Sequence, residues 1–112
     1  MNSTLASFFY PKLPNIIGHR GAYNSAPENT LISFRKAAQL GAKWIEIDVR
    51  LSSDKIPVVF HDNDVDRTTN GQGPVQSFTL KSLQELDAGS HYHIDFSGEK
   101  VPTLLQLSLI HI

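Results

Sequence analysis

Apolar residues along this chain fall into two spacings, and the places where one gives way to the other mark out its elements. Asn15 to Gly18, with Ile16-Ile17 at its centre, is a short candidate strand, followed by a loop containing Gly21, Asn24 and Pro27. From Glu28 the spacing becomes helical: Leu31, Phe34 and Ala38 fall on one side, Pro27 sits near the start, and Glu28 places negative charge in the first turn. Gly41, after Leu40, is the expected stop. Trp44 to Val49 then alternates with period two, so Glu46 and Asp48 share one face and Ile45, Ile47 and Val49 the other, with the two acidic Cα atoms about 6.6 Å apart. Strand, helix and strand in this order predict a βαβ unit with parallel pairing.

Further along, Leu51 to Lys55 reads as a turn and Ile56 to Phe60 as another strand. Asn63 to Gln76 is a loop rich in Asp, Asn, Thr and Gly, with Asn70-Gly71 as a strong turn signal. Thr79 caps a helix predicted to run to about Asp87, with Leu80, Leu83 and Leu86 on one side, and Gly89 ends it. Ser90 to Gly98 is irregular, and Val101-Pro102-Thr103-Leu104 leads into a further helix. Leu31, Phe34, Ala38, Leu80, Leu83 and Leu86 are the predicted core. The apolar end, Leu105 to Ile112, reads as a face whose cover is missing.

Composition narrows the classes. At 112 residues the chain holds at most one domain and falls short of the roughly 250 residues of an eight-stranded α/β barrel. Its 40% hydrophobic content is that of a folded protein. Ten basic and eleven acidic residues, with the basic ones scattered, give no support to nucleic-acid binding. The absence of cysteine excludes disulfides, thiolate metal sites and a cysteine nucleophile. Residues 1–14 read as a lead-in and not a signal peptide, because they lack a basic n-region and a sustained apolar run. No membrane span is expected, and cytoplasmic residence is the expectation.

Four groups carry candidate chemistry: His19, the pair Glu46 and Asp48, and His61, each where a short apolar run ends or is ending. Potential acids, bases and metal ligands at successive strand ends point to a parallel α/β sheet whose C-terminal edge is an active site. Two carboxylates facing a cleft are costly to ionise alone, and a divalent cation removes that cost. Oxygen ligands suit Mg²⁺ or Ca²⁺, while nearby imidazoles leave Zn²⁺ and Mn²⁺ open. The competing reading is an edge strand with two solvated acids. His19 and His61 could serve as general acid and base, or be ordinary loop histidines. His91, His93 and His111 lack such a setting and read as surface or loop residues. Arg20 suits a phosphate through its fork of donors, or forms a structural ion pair with Glu28 or Asp62.

His19-Arg20-Gly21, Pro27-Glu28-Asn29-Thr30, Glu46-Ile47-Asp48, His61-Asp62 and Arg67-Thr68-Thr69-Asn70-Gly71 occur in the order and spacing of the glycerophosphodiester phosphodiesterases, which this chain resembles over about residues 15 to 104. Asp87-Ala88-Gly89-Ser90 and Val101-Pro102-Thr103-Leu104 extend the resemblance. It implies an α/β fold that is the N-terminal portion of a TIM (β/α)8 barrel, apparently truncated, with residues 15–112 a partial domain of barrel strands 1 and 2 plus the family's insertion, at about Leu51 to Pro102. It further implies divalent metal, Mg²⁺ or Ca²⁺, and hydrolysis of a small glycerophosphodiester to glycerol 3-phosphate and an alcohol. Residue by residue, His19 and His61 resemble the catalytic acid/base pair, Glu46 and Asp48 the metal ligands and Arg20 the phosphate contact. The family's third acidic ligand, on a later strand, has no counterpart here, and Leu105-Gln106-Leu107 stands where acidic residues often follow Pro-Thr-Leu.

Direct attack by water and attack by the glycerol hydroxyl through a cyclic phosphate both fit these residues. Such a partial barrel is expected to leave strand edges uncovered, to self-associate, and to be weakly active or inactive by itself. Two other readings compete: a catalytically dead remnant acting as an interaction module, and a related barrel phosphodiesterase acting on phosphatidylinositol or sphingomyelin. The Pro27-Glu28-Asn29-Thr30 segment speaks against the latter.

Overall fold

The computed structural model describes residues 17–110. Asn15, Ile16 and His111, named above, lie outside the described residues. The predicted βαβ unit is present: β1 (Ile17–His19) and β2 (Trp44–Glu46) pair in parallel, with α1 (Leu31–Gln39) as the crossover. The register sets Ile17 opposite Trp44, Gly18 opposite Ile45 and His19 opposite Glu46.

The helix begins later than its charge pattern suggested. Thr30 is the N-cap, accepting a hydrogen bond from the Ser33 amide and donating its own hydroxyl proton to the Pro27 carbonyl. Glu28 and Asn29 therefore lie before the helix, free of its geometry. Phe34 and Ala37 face the core, and Ala38, the predicted core position, is only partly buried. Gly41 closes the helix as expected, at φ +97°, where its lack of a Cβ removes the steric penalty.

The Trp44–Val49 run is not one strand. It ends at Glu46 and resumes as β3 (Val49–Leu51), which forms an antiparallel hairpin with β4 (Pro57–Val59). Leu51 thus belongs to a strand instead of a turn, and Val49 is exposed instead of sharing a buried face with Ile45 and Ile47. The hairpin turn is closed by the Ser52 amide on the Ile56 carbonyl, with Lys55 at φ +66°. Because β4 runs antiparallel to β3, His61 reaches the Asp48 end of the hairpin on a returning strand, not at the C-terminal edge of a parallel sheet. The Phe60 amide, donating to the Asp48 carbonyl, fixes that approach.

β4 is buried on both faces, which explains its unbroken apolar run. Val58 and Phe60 join Val65, Val75, Leu83, Ala88 and Val101, whereas Val59 packs with Phe34 and Leu107 beneath Ile45 and Ile47. Val58 also bridges Thr103. The second helix, α2 (Leu80–Gln84), is capped by Thr79 as predicted but stops short of Asp87, whose carboxylate instead accepts from the Gly89 and Ser90 amides. Within Ser90–Gly98, Ile94–Phe96 forms a single 3-10 turn. α3 (Leu104–Leu109) starts in a reciprocal capping box, Thr103 with Gln106. The two two-stranded sheets do not close into a barrel among the described residues, and Val49, Leu51, Leu105 and Leu109 stay exposed. No described helix is long and apolar enough to cross a membrane.

Candidate active site

The end of β1 is bent sharply by two successive residues in the left-handed region, Arg20 at φ +50° and Gly21 at +82°. Such a conformation costs a non-glycine residue about 1–3 kcal/mol and persists only where the surroundings impose it. Here they do. The Arg20 amide donates to the Glu46 carbonyl at 2.9 Å, and the Arg20 carbonyl accepts from the Asn29 amide at 2.9 Å and the Ser33 hydroxyl at 3.1 Å. A Cβ at Gly21 would meet Ser33, 2.8 Å from its carbonyl carbon. The turn is thereby clamped between β2 and α1, presenting His19 and Arg20 side by side.

The parallel register brings His19 Nδ1 within 2.9 Å of Glu46 Oε1. The pair is close yet out of line for a hydrogen bond, so Oε1 is a buried carboxylate oxygen with no hydrogen-bond partner. The edge of the His19 ring meets Tyr23, centroids 5.2 Å apart. Asp48 lies in the break between the two sheets, accepting from Asn29 Nδ2 at 3.1 Å and standing 3.4 Å from Arg20 Nε. Arg20 Nε, at ion-pair distance, makes no hydrogen bond, and Asn29 Oδ1 is also buried without one. Asn29 holds φ +56° to reach this position.

His61 is held by two neighbours, Asp62 on its ring and Arg50 on its backbone. Its Nδ1 is 2.7 Å from Asp62 Oδ1, and its carbonyl accepts from Arg50 Nε at 3.0 Å and Nη2 at 2.6 Å. Arg67 grips both Asp62 oxygens, at 2.9 and 3.0 Å, and both Glu28 oxygens, at 2.8 and 3.0 Å. Glu28 also accepts from Arg20 at 3.2 Å. One chain of contacts, Arg20–Glu28–Arg67–Asp62–His61, thus joins the end of β1 to the end of β4. Of the two alternatives for Arg20, Glu28 is a partner and Asp62 is not.

These ion pairs set the charges. The Arg67 hydrogen bonds hold the Asp62 carboxyl well below its usual range. Burial works to raise Glu28, but the hydrogen bonds and charges of Arg67 and Arg20 prevail and lower it. Both groups bind protons less readily folded than unfolded. Their stabilisation is therefore complete above the unfolded carboxylate range, near pH 4, and is lost as pH falls through the folded values. Partial desolvation of the His91 ring, in a residue otherwise open to solvent, lowers its pKa, so its protonation weakly opposes folding in the same direction, beginning below about pH 6.5. Urea titrations should give a midpoint that falls from about pH 7 to about pH 3. A constant midpoint would contradict these assignments.

His19, Arg20, Glu46 and Asp48 are brought together as the sequence led us to expect, and His61 is joined to them through Asp62, Arg67 and Glu28. Sequence reasoning gave no site role to Asn29, Arg50, Asp62 or Arg67. The preference of helix N-caps for threonine, applied to Thr30, would have released Glu28 and Asn29 from the helix. His91 and His93 are exposed, in keeping with their reading as surface residues, and His93 Nδ1 caps the Ile94–Phe96 turn.

The arrangement corresponds to part of an α/β barrel. A solved phosphodiesterase from Oleispira antarctica, in complex with the product sn-glycerol-3-phosphate, is 50% identical with a TM-score of 0.85 over 88% of this chain and 40% of that one. Glycerophosphodiester phosphodiesterase from Agrobacterium tumefaciens is 46% identical with a TM-score of 0.79, over 82% of this chain and 40% of its own. The fold is the N-terminal portion of the TIM barrel of such proteins.

Residues 19–109 match the glycerophosphoryl diester phosphodiesterase family, and the chain belongs to it. A glycerophosphodiester phosphodiesterase from Caldanaerobacter subterraneus is 49% identical over 92 residues, 82% of this chain and 38% of that protein. The chain thus spans about two fifths of the length of these relatives.

Enzymes of this family generally depend on a divalent metal. The site fits one in part: Glu46 Oε1 is a buried anionic oxygen lacking a hydrogen bond, and Asp48 lies nearby on the same chain segment. Among the described residues, no three His, Cys, Asp or Glu side chains are grouped to hold a metal ion.

Proposed function

We propose that this protein contributes to metal-dependent hydrolysis of a glycerophosphodiester, giving glycerol 3-phosphate and an alcohol. The observation that carries this reading is the meeting of His19, Arg20, Glu46 and Asp48 around the bend after β1, with His61 tied to it, in a chain whose 50%-identical relative holds sn-glycerol-3-phosphate. Glu46 and Asp48 would hold Mg²⁺ or Ca²⁺, both of which prefer oxygen ligands. When bound, the cation would supply positive charge to the phosphoryl oxygens.

The rest of the chemistry belongs to the chain's own side chains. Asp62 engages His61 Nδ1, which leaves Nε2 as the atom that takes or gives a proton. His19 stands at the other strand end as the complementary proton carrier. Arg20 Nε, a buried donor without a hydrogen bond, is suited to a phosphoryl oxygen, and the guanidinium charge offsets the developing anion. With two carboxylates as the candidate ligands among the described residues, the chain by itself should turn over slowly, far below the roughly 1–10³ s⁻¹ of typical enzymes. Formation of glycerol 3-phosphate tests this reading. Loss of either His19 or His61 should reduce the rate by about 10²–10⁴-fold.

A further inference from the structure

We infer that Arg67 is a positioning residue for His61, and that through Glu28 it fixes His61 and Arg20 as one unit. Arg67 lies outside the sheet, in the loop between β4 and α2, yet its guanidinium makes four hydrogen bonds to two carboxylates from separate parts of the chain. One fork takes both oxygens of Asp62, the residue that engages His61 Nδ1. The other takes both oxygens of Glu28, which also accepts from Arg20.

The loop is anchored well enough for this task. The Val65 amide donates to the Gly73 carbonyl, the Val75 amide to the Asn63 carbonyl, and the Asn70 amide to the Asp87 carbonyl, while the Asp87 amide donates to Asn70 Oδ1. Val65 and Val75 are fully buried in the larger core cluster. Arg67 is therefore carried by a rigid loop, although its own side chain is half-exposed. Solvent weakens the charge of such a pair more than its geometry, so the role assigned to Arg67 is orientation.

A carboxylate gripped on both oxygens cannot rotate away from the imidazole. Asp62 so fixed accepts the Nδ1 proton and keeps Nε2 bare, the tautomer a proton acceptor requires. A lysine at position 67 would retain the charge but could not fork onto Asp62 and Glu28 together. The catalytic meaning of this role rests on the hydrolysis proposed above; the tautomer control can be measured without it.

The experiment is nitrogen NMR of the His61 side chain in the full chain, at a pH where the ring is neutral. The wild-type ring should be predominantly Nδ1–H. Arg67→Gln and Arg67→Lys should each lower the ratio of Nδ1–H to Nε2–H by about tenfold, with the signals of the Val65 and Leu83 core unchanged. Failure of lysine to rescue separates orientation from charge alone. An unchanged ratio in a folded Arg67→Gln chain, or full rescue by lysine, overturns the inference. Should Arg67→Gln not fold, Glu28→Gln, which loosens the far anchor of Arg67 and its link to Arg20 but keeps the Arg67 guanidinium on Asp62, should move the ratio in the same direction, and no movement would also overturn it. If the ratio responds as expected while no diester is hydrolysed, the proposed reaction fails and the positioning role stands.

Discussion

Exchange of Glu46 for Gln is expected to make the cation-free chain more resistant to heat while lowering its affinity for Mg²⁺ or Ca²⁺ by at least about 100-fold, since even residues that merely support a metal ligand cost 10–100-fold when lost. The two effects share a cause. Glu46 Oε1 is buried beside His19 without a hydrogen bond, so the folded chain keeps an anionic oxygen out of water with only an ill-aligned imidazole to compensate. Burial of a charge in this way costs stability unless a cation or donor satisfies it. Glutamine has nearly the same shape and removes the charge. A residue that lowers stability in the isolated fold and is relieved by its ligand is typical of a functional site. Calorimetric titration and thermal melting measure the two halves. A variant with undiminished cation affinity would remove Glu46 from the proposed ligands, and one less stable without cation would show that the imidazole already satisfies it.

The second large effect concerns Gly89. A Cβ there would collide with the Phe96 carbonyl oxygen and lie 2.8 Å from its carbonyl carbon. Since the obstacle is backbone, no side-chain rotation relieves it. Gly89→Ala should cost about 3 kcal/mol or more, near the upper end of ordinary overpacking. Displacing Phe96 would disturb its edge contact with Tyr92, whose hydroxyl donates to the Asn24 carbonyl and ties residues 90–98 to the loop after Arg20. The Ala88 amide bond to the Glu99 carbonyl, at 2.7 Å, spans the same turn. Urea unfolding would register the loss as a lower midpoint, and a change within about 0.5 kcal/mol would contradict the close approach.

How far the fold was legible depended on how local the signal was. Spacing located the crossover helix through Phe34 and the alternation that placed β2, while residue type marked the stop at Gly41 and the cap at Thr79. Periodicity could not reveal that Trp44–Val49 changes partners at Ile47: Glu46 pairs toward His19 in one sheet, while Val49 pairs with Val59 in another. Both halves favour extended backbone, and only contacts distant in sequence divide them. The same limit concealed the role of Arg67, whose partner Glu28 is 39 residues away. Glu28 itself was misplaced because Pro27 and an acidic residue both suit a first helical turn, yet the hydroxyl of Thr30 took the cap.

The candidate site was more legible than the topology. His19, Arg20, Glu46 and Asp48 are polar groups at the ends of apolar runs, a local signal, and parallel pairing brings His19 and Glu46 together. Asn29 gave no such sign: its part depends on φ +56° and on a side chain that reaches Asp48, neither of which spacing encodes.

Phosphorus NMR of a glycerophosphodiester incubated with the purified chain and Mg²⁺ or Ca²⁺ follows the proposed hydrolysis itself. Glycerol 3-phosphate should appear slowly, stop forming when the cation is chelated, and be lost in His19→Ala and His61→Ala. Absence of any phosphomonoester above the protein-free control, or its formation at an undiminished rate in both histidine variants, would contradict it.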